Sequence, residues 1–239
     1  MKVSDLIWNV LSPQRCIACN KDMSLTEGAM FCYECGKTYC KTGECVCRVC
    51  GKPISENADT VCAACKGMKL YIESNVSRYV YKGCVRDAVR NMKFNKQQWV
   101  CTKFGNALAK TVEEKYDGID FDMVLYVPMT RLAETDRGFN QACEIATIIA
   151  KKIKTPVVHN VLYKKIGTKT QSGLSRKERF LNVRDSFFVC NPHKLTDKVV
   201  LLVDDVYTTG ATLNECARIL KKNGALAVYT ATVATTVME

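Results

Sequence analysis

The sequence has no run of 18 apolar residues, which excludes a helix that crosses a membrane unaided. The apolar stretch Leu6–Leu11 is short and no small-residue cleavage site follows it, so no secretory signal is expected and the cytoplasm is the expected compartment. No Walker A loop is present. Gly36-Lys37-Thr38 resembles the end of one, but Phe31 stands where the first glycine belongs. Acids are outnumbered, 24 against 35 basic residues, and the formal net charge is +11. That balance favours partners that carry phosphate without identifying them. No long repeat and no low-complexity segment occurs.

What is abundant is cysteine. There are 15, and ten precede Lys66. In a reducing compartment they are not disulfides. Eight form four C-x-x-C pairs. Cys16 and Cys19 are followed after 12 residues by Cys32 and Cys35, and Cys47 and Cys50 after 11 residues by Cys62 and Cys65. Each pair forms a tight knuckle that presents two thiolates to one tetrahedral ion, so two structural Zn²⁺ are expected. Eight thiolates and two such ions would bring the formal charge to roughly +7. Gly51 can supply the positive φ a knuckle needs, and Asn20 the same. A thioredoxin-like redox pair fits poorly, because four pairs crowd into about 50 residues. Sequential and crossed pairing of the knuckles both remain open, as does the use of Cys40 and Cys45. Cys84, Cys101, Cys143, Cys190 and Cys216 are scattered singly and read as small packing residues.

The organisation divides at about residue 70. Residues 1–70 read as a double zinc ribbon and 71–239 as an α/β domain. In the second part, Val85–Phe94, Val100–Tyr116, Asn140–Lys154 and Thr212–Asn223 have helical spacing; Gly224 ends the last. Met123–Val127, Val157–Tyr163, Val199–Val203 and Leu226–Val233 read as strands. Lys164–Arg176 is polar and glycine-containing, and reads as a mobile loop. Strands alternating with helices imply a parallel sheet covered on both faces.

The informative stretch is Val199-Val-Leu-Leu-Val-Asp-Asp-Val-Tyr-Thr-Thr-Gly-Ala-Thr212. A buried strand delivers Asp204 and Asp205 to its C-terminal end, where ligands sit in open α/β sheets. Thr208, Thr209, Gly210, Ala211 and Thr212 then lead into a helix, and such small residues let backbone N–H groups close around a phosphate. The acids suit vicinal hydroxyls, a bound Mg²⁺, or both. A phosphate and a diol a few ångströms apart describe a ribose 5-phosphate. A Walker B strand also ends in acids, but it lacks the T-T-G-A-T tail.

This segment resembles the signature by which type I phosphoribosyltransferases bind 5-phosphoribosyl-1-pyrophosphate (PRPP). Three further stretches are similar to the ComF (ComFC) competence-protein family: Val127-Pro-Met-Thr130 with Arg137-Gly-Phe-Asn-Gln141, Lys169–Leu174 with Arg179 and Asn182, and the tandem cysteine modules. The resemblance covers almost the whole chain. It implies a type I phosphoribosyltransferase fold, Mg²⁺ with PRPP, and a link to natural transformation through single-stranded DNA and other competence proteins. Carried over by position, it places the ribose and metal on Asp204 and Asp205, and the 5-phosphate on Thr208–Thr212. Pyrophosphate falls to the turn Pro128, Met129, Thr130 and Arg131, with Arg137 and Asn140 lining the same mouth. Lys164 and Lys165 open a flexible hood, and Lys93 matches a lysine common in relatives. The competing reading of Phe139–Gln141 is a helix start with an N-cap.

One departure stands out. Many relatives carry two or three basic residues between V-P and R-G-F-N-Q, whereas Met129–Asp136 holds only Arg131. A leaving pyrophosphate needs positive charge. The sequence therefore supports two classes of function: a phosphoribosyltransferase of unidentified acceptor, and a PRPP-responsive adaptor with little turnover. Glutamine-dependent amidotransferase chemistry uses an N-terminal cysteine, and this chain begins Met1-Lys2-Val3. For nucleic acid, Arg78–Lys103 has seven basic residues against Asp87, and Lys164–Arg184 seven against Glu178. Arg86, Arg90 and Lys93 recur at helical spacing. Tyr79, Tyr81, Phe94 and Trp99 suit either base stacking or core packing.

Overall fold

A computed structural model describes residues 14–23, 30–55, 60–165 and 182–237. After a single helical turn α1 (Tyr33–Gly36), the elements run β1 (Asn75–Val80), α2 (Gly83–Phe94), α3 (Trp99–Lys115), β2 (Met123–Tyr126), α4 (Arg131–Arg137) and α5 (Gln141–Ile153). They continue with β3 (Leu162–Lys164), β4 (Phe187–Val189), β5 (Val199–Tyr207), α6 (Ala211–Lys222) and β6 (Ala227–Thr235).

Four strands form one parallel sheet in the order β1-β6-β5-β2. Its central strand, β5, is apolar on both faces because both are covered. One face buries Leu201 and Val203 against α2, α3 and α5, through residues such as Val89, Phe104 and Ile145. The other buries Val200 and Leu202 against α6, through Leu213, Ala217 and Leu220. Of the apolar residues of α5 that recur at helical spacing, Ala142, Ile145, Ala146 and Ile149 are buried and Ile153 is half-buried.

Each zinc ribbon joins a different core. Cys16, Ile17, Met23 and Phe31 pack on the α2–α3 side, whereas Cys47, Cys50, Cys62 and Cys65 pack on the α6 side. Between them, the chain at 40–42 runs along the outer edge of β1. Val80 N–H donates to Cys40 O at 2.8 Å, Thr42 N–H donates to Arg78 O at 3.2 Å, and Lys41 bridges Tyr79 antiparallel. The ribbons straddle the sheet edge, and the segment joining them caps it. An uncovered β1 would present a row of unpaired backbone groups.

Two expectations need correction. Val157–Tyr163 is not one strand. Val157 makes a single parallel bridge to Val124, and pairing resumes only at Leu162, antiparallel to β4. Asn160 between them is left-handed, at φ 61°, which turns the chain from one sheet to the other. In addition, β5 does not stop at Val203. It stays paired with β6 through Asp204↔Thr232 to Tyr207↔Thr235, so the two acids lie inside the strand. Of the expected hood, Lys164 and Lys165 lie at the β3 end of the β3–β4 stem, where Lys165 N–H donates to Ser186 O at 2.8 Å. Residues 166–181, including Lys169, Gln171–Leu174 and Arg179, lie outside the described residues.

Candidate functional site

The two cysteine sets assemble sequentially, not crossed. The sulfurs of Cys16, Cys19, Cys32 and Cys35 lie within 4.8 Å of one another, as do those of Cys47, Cys50, Cys62 and Cys65. The contacts Cys19 Sγ–Cys32 Sγ and Cys50 Sγ–Cys62 Sγ are 3.7 Å. Zn–S bonds of about 2.3 Å in a tetrahedron put sulfurs about 3.8 Å apart. Both sets therefore fit structural zinc, and neither includes Cys40 or Cys45. One cysteine of each set is held toward thiolate, whereas burial and neighbouring sulfurs raise the pKa of Cys19, Cys35 and Cys62, and neighbouring sulfurs and burial that of Cys50. Burial raises the Cys16 and Cys47 pKa, but backbone N–H groups around each sulfur outweigh it and bring both down to about 7. Asn20 and Gly51 hold φ 62° and 66°, as the knuckle turns require. Of the five single cysteines, Cys84, Cys101 and Cys216 are buried, and Cys143 and Cys190 are half-buried.

At the C-terminal ends of β2 and β5 the sheet opens into a pocket of about 550 Å³. Its floor carries Asp204 and Asp205. Asp204 Oδ1 accepts the backbone N–H of Asp205 at 2.8 Å. Burial, then the charge of Asp205, raises the Asp204 pKa to about 7. Two adjacent carboxylates offer the hard oxygen ligands that suit a divalent ion such as Mg²⁺. Lys93, from the last turn of α2, reaches both oxygens of Asp205, at 2.8 and 2.7 Å. Burial works against its charge, but Asp205, and Asp204 behind it, hold its pKa above the ordinary value.

Of the expected phosphate-loop residues, Thr209, Gly210 and Ala211 are not among the pocket walls. Thr208 and Thr212 line the pocket. Gly210 has φ 81°, and a Cβ there would strike the Tyr207 hydroxyl, so only glycine lets the loop close over that ring. It is also the N-cap of α6, preceding Ala211. Thr209 Oγ accepts the Ala211 N–H at 3.3 Å, and Thr236 Oγ donates to Thr208 O at 3.3 Å. Lys52, from the second ribbon, donates to that same Thr236 Oγ at 3.0 Å.

The opposite motif behaves unevenly. Pro128, Met129, Thr130 and Arg137 line the pocket. Arg131 is exposed and is not among its walls. It opens α4, whose N-cap Thr130 accepts the Ala133 N–H at 3.3 Å. Asn140 lines the pocket but spends its side chain on structure. Its Oδ1 accepts from Ala142 N and Cys143 N, and its Nδ2 donates to Val127 O at 3.2 Å. The N-cap reading of that stretch therefore describes Asn140. Lys164 reaches the pocket from β3, with its Nζ 5.8 Å from the Phe187 ring centre; Lys165 is exposed outside its walls.

The structure separates Lys93 from the arginines of its helix. Arg86 and Arg90 are exposed on α2, whereas Lys93 is turned into the pocket. Among the aromatic residues, Tyr79 is core, Tyr81 lines the pocket, and Phe94 and Trp99 are exposed. Gln141 lines the pocket as well, and the sequence assigned it to no ligand; Tyr81 was offered for base stacking or core packing, not for this pocket. Gln141 was legible only as the last letter of R-G-F-N-Q, and the signal that marks it is its burial.

Residues 135–237 match the phosphoribosyl transferase domain model, and residues 7–66 match the double zinc ribbon domain model. The chain is 29% identical over 140 residues to Competence protein F of Haemophilus influenzae, covering 57% of this chain and 61% of that one. It is 27% identical over 155 residues to Competence protein ComFC of Bacillus subtilis, covering 65% and 61%. To DNA utilization protein YhgH of Escherichia coli K12 it is 27% identical over 143 residues, covering 59% and 62%. The aligned part thus spans about three fifths of each relative. The chain thus carries a double zinc ribbon packed onto a phosphoribosyl transferase domain, and it is similar in sequence to Competence protein F and Competence protein ComFC.

Proposed function

We propose that the pocket binds PRPP with Mg²⁺, and that the protein uses it in a function linked to natural transformation and the handling of single-stranded DNA. The observation that carries this reading is the convergence of four elements on one pocket. The Asp204–Asp205 pair, Thr208 and Thr212 at the two ends of the loop, the Pro128–Thr130 turn and the cations Lys93, Arg137 and Lys164 meet there. The acids suit ribose hydroxyls and the metal, the loop the 5-phosphate, and the cations the diphosphate. If an acceptor attacks C1, the protein's part is to position the ribose, neutralise the departing pyrophosphate and exclude water. The DNA side draws support from relatives named as competence and DNA utilization proteins. Arg86 and Arg90, exposed on α2, suit phosphate contact. The cytoplasm is the compartment proposed for this work.

A second reading is a PRPP-responsive adaptor with little turnover. Arg131, the basic residue of the Met129–Asp136 segment, stands outside the pocket, which favours it. Calorimetry with Mg²⁺-PRPP tests the shared core of both readings. Pyrophosphate release with a panel of bases, amines and nucleic acids separates them. Absence of PRPP binding would sink both.

A further inference from the structure

Gln141 opens α5 and lines the pocket, yet only 2% of its surface is exposed. Its Oε1 accepts a hydrogen bond from Arg137 Nη1 at 2.8 Å. A guanidinium only donates, so the amide must turn its oxygen toward Arg137. That fixes where the amino group lies. Nε2 is buried and has no hydrogen-bond partner among the described residues. Folded chains rarely leave such a donor unpaired, because burial removes its water without replacing it.

Four of the pocket's side-chain acceptor oxygens are already engaged by other groups. Asp205 holds Lys93 with both oxygens, Asp204 Oδ1 takes the Asp205 N–H, and Asn140 Oδ1 caps α5. The missing partner is an acceptor, and the same pocket gathers Lys93, Arg137 and Lys164. The Asn140–Val127 hydrogen bond ties the start of α5 to the end of β2, beside the Pro128–Thr130 turn. We infer that Gln141, oriented by Arg137, donates from Nε2 to the diphosphate of the bound ligand. This rests on the pocket being a PRPP site. It adds a neutral donor where the chain has few basic residues, and it gives the R-x-x-x-Q spacing a chemical reason: two donors brought together across the break between α4 and α5, one aligning the other.

The test uses the full-length, zinc-loaded chain and two variants. Q141L removes the amide. Q141E keeps an acceptor for Arg137 and removes the donor. Calorimetry with Mg²⁺ and inorganic pyrophosphate should show affinity falling about tenfold or more in both, the scale of one missing hydrogen bond. Ribose 5-phosphate, which lacks the diphosphate, should bind all three proteins equally. Q141E, which keeps the acceptor for Arg137, controls for the hydrogen bond that Q141L also loses. Unchanged pyrophosphate affinity, or equal weakening for both ligands, would overturn the inference. A wild-type chain that binds neither ligand would overturn the pocket assignment, and this inference with it. Tight wild-type binding that survives in both variants overturns only the role of Gln141.

Discussion

Asn75, the first residue of β1, donates from Nδ2 to the carbonyl oxygen of Cys50 at 3.0 Å, inside the second cysteine knuckle. The fit is tight on the other side too. A Cβ on Gly51 would strike the Asn75 carbonyl oxygen. Asn75 N–H also donates to Val49 O at 2.8 Å, and its Oδ1 accepts from Thr230 on β6 at 2.9 Å. The knuckle is therefore joined to two strands of the sheet through one residue.

Zinc removal should consequently weaken the whole chain and not the ribbons alone. Metal analysis should give about two Zn²⁺ per chain, following the two tetrahedral sets. Chelation should lower the temperature of the α/β transition, read by far-UV circular dichroism. Gly51→Ala should lower it as well, through both its positive φ and the Asn75 clash. A ribbon that loses metal while the α/β transition stays fixed would contradict this coupling.

Asp204→Asn with Asp205→Asn should abolish measurable Mg²⁺-PRPP binding. Thr209→Val removes the hydroxyl that accepts the Ala211 N–H and should cost roughly 1–3 kcal/mol of affinity. Calorimetry on folded variants reads both; wild-type affinity in both would remove the loop from the ligand.

Stability should fall as pH rises toward neutrality, through Asp204. Its folded pKa, about 7, stands above the ordinary 3.8, so the folded chain keeps a proton that the unfolded chain has released. The stabilisation is full below the unfolded value and is lost as pH rises through the folded one. Asp204→Asn should therefore gain stability relative to wild type between about pH 4 and 7, and level off above that range. Urea melts across that range check the sign. A pH-independent difference between the two proteins would place the Asp204 proton elsewhere.

The cations should separate by task. Lys93→Met leaves Asp205 facing an apolar group and should weaken PRPP binding, with little effect on single-stranded DNA. Arg86→Ala with Arg90→Ala should do the reverse. It should also flatten the salt dependence of DNA binding, by roughly 0.7 in slope for each phosphate that an arginine no longer neutralises. Binding measured at two salt concentrations decides. No DNA binding by the intact chain at low salt would route a competence role through a partner protein.

Replacing Lys164 and Lys165 together should slow pyrophosphate release in any acceptor reaction. Lys164 alone should account for most of it, since Lys165 stands outside the pocket walls. Equal effects of the two single variants, measured by coupled pyrophosphate assay, would show that the hood stem brings both to the ligand.

Much of this was legible because it is local. Two cysteines in a knuckle, a five-residue apolar strand, two acids and T-T-G-A-T are each set by neighbouring residues, and backbone geometry alone brings each set together. The resemblance to a known family then joined those pieces. What the sequence could not decide depends on residues far apart. The pairing order of the knuckles is one such case, and the structure gathers each sequential set of four sulfurs. Lys93 reads like Arg86 and Arg90 in a helix, and only the packing of α2 against β5 turns it onto Asp205, 112 residues away. Arg131 reads as the basic residue of a pyrophosphate turn, but α4 carries it outward. Gln141 reads as a helix start; burial beside Arg137 is what leaves its amide waiting for an acceptor. Spacing along the chain specifies chemistry within a turn or a loop, whereas burial and counter-charge across the sheet specify which of those groups a ligand meets.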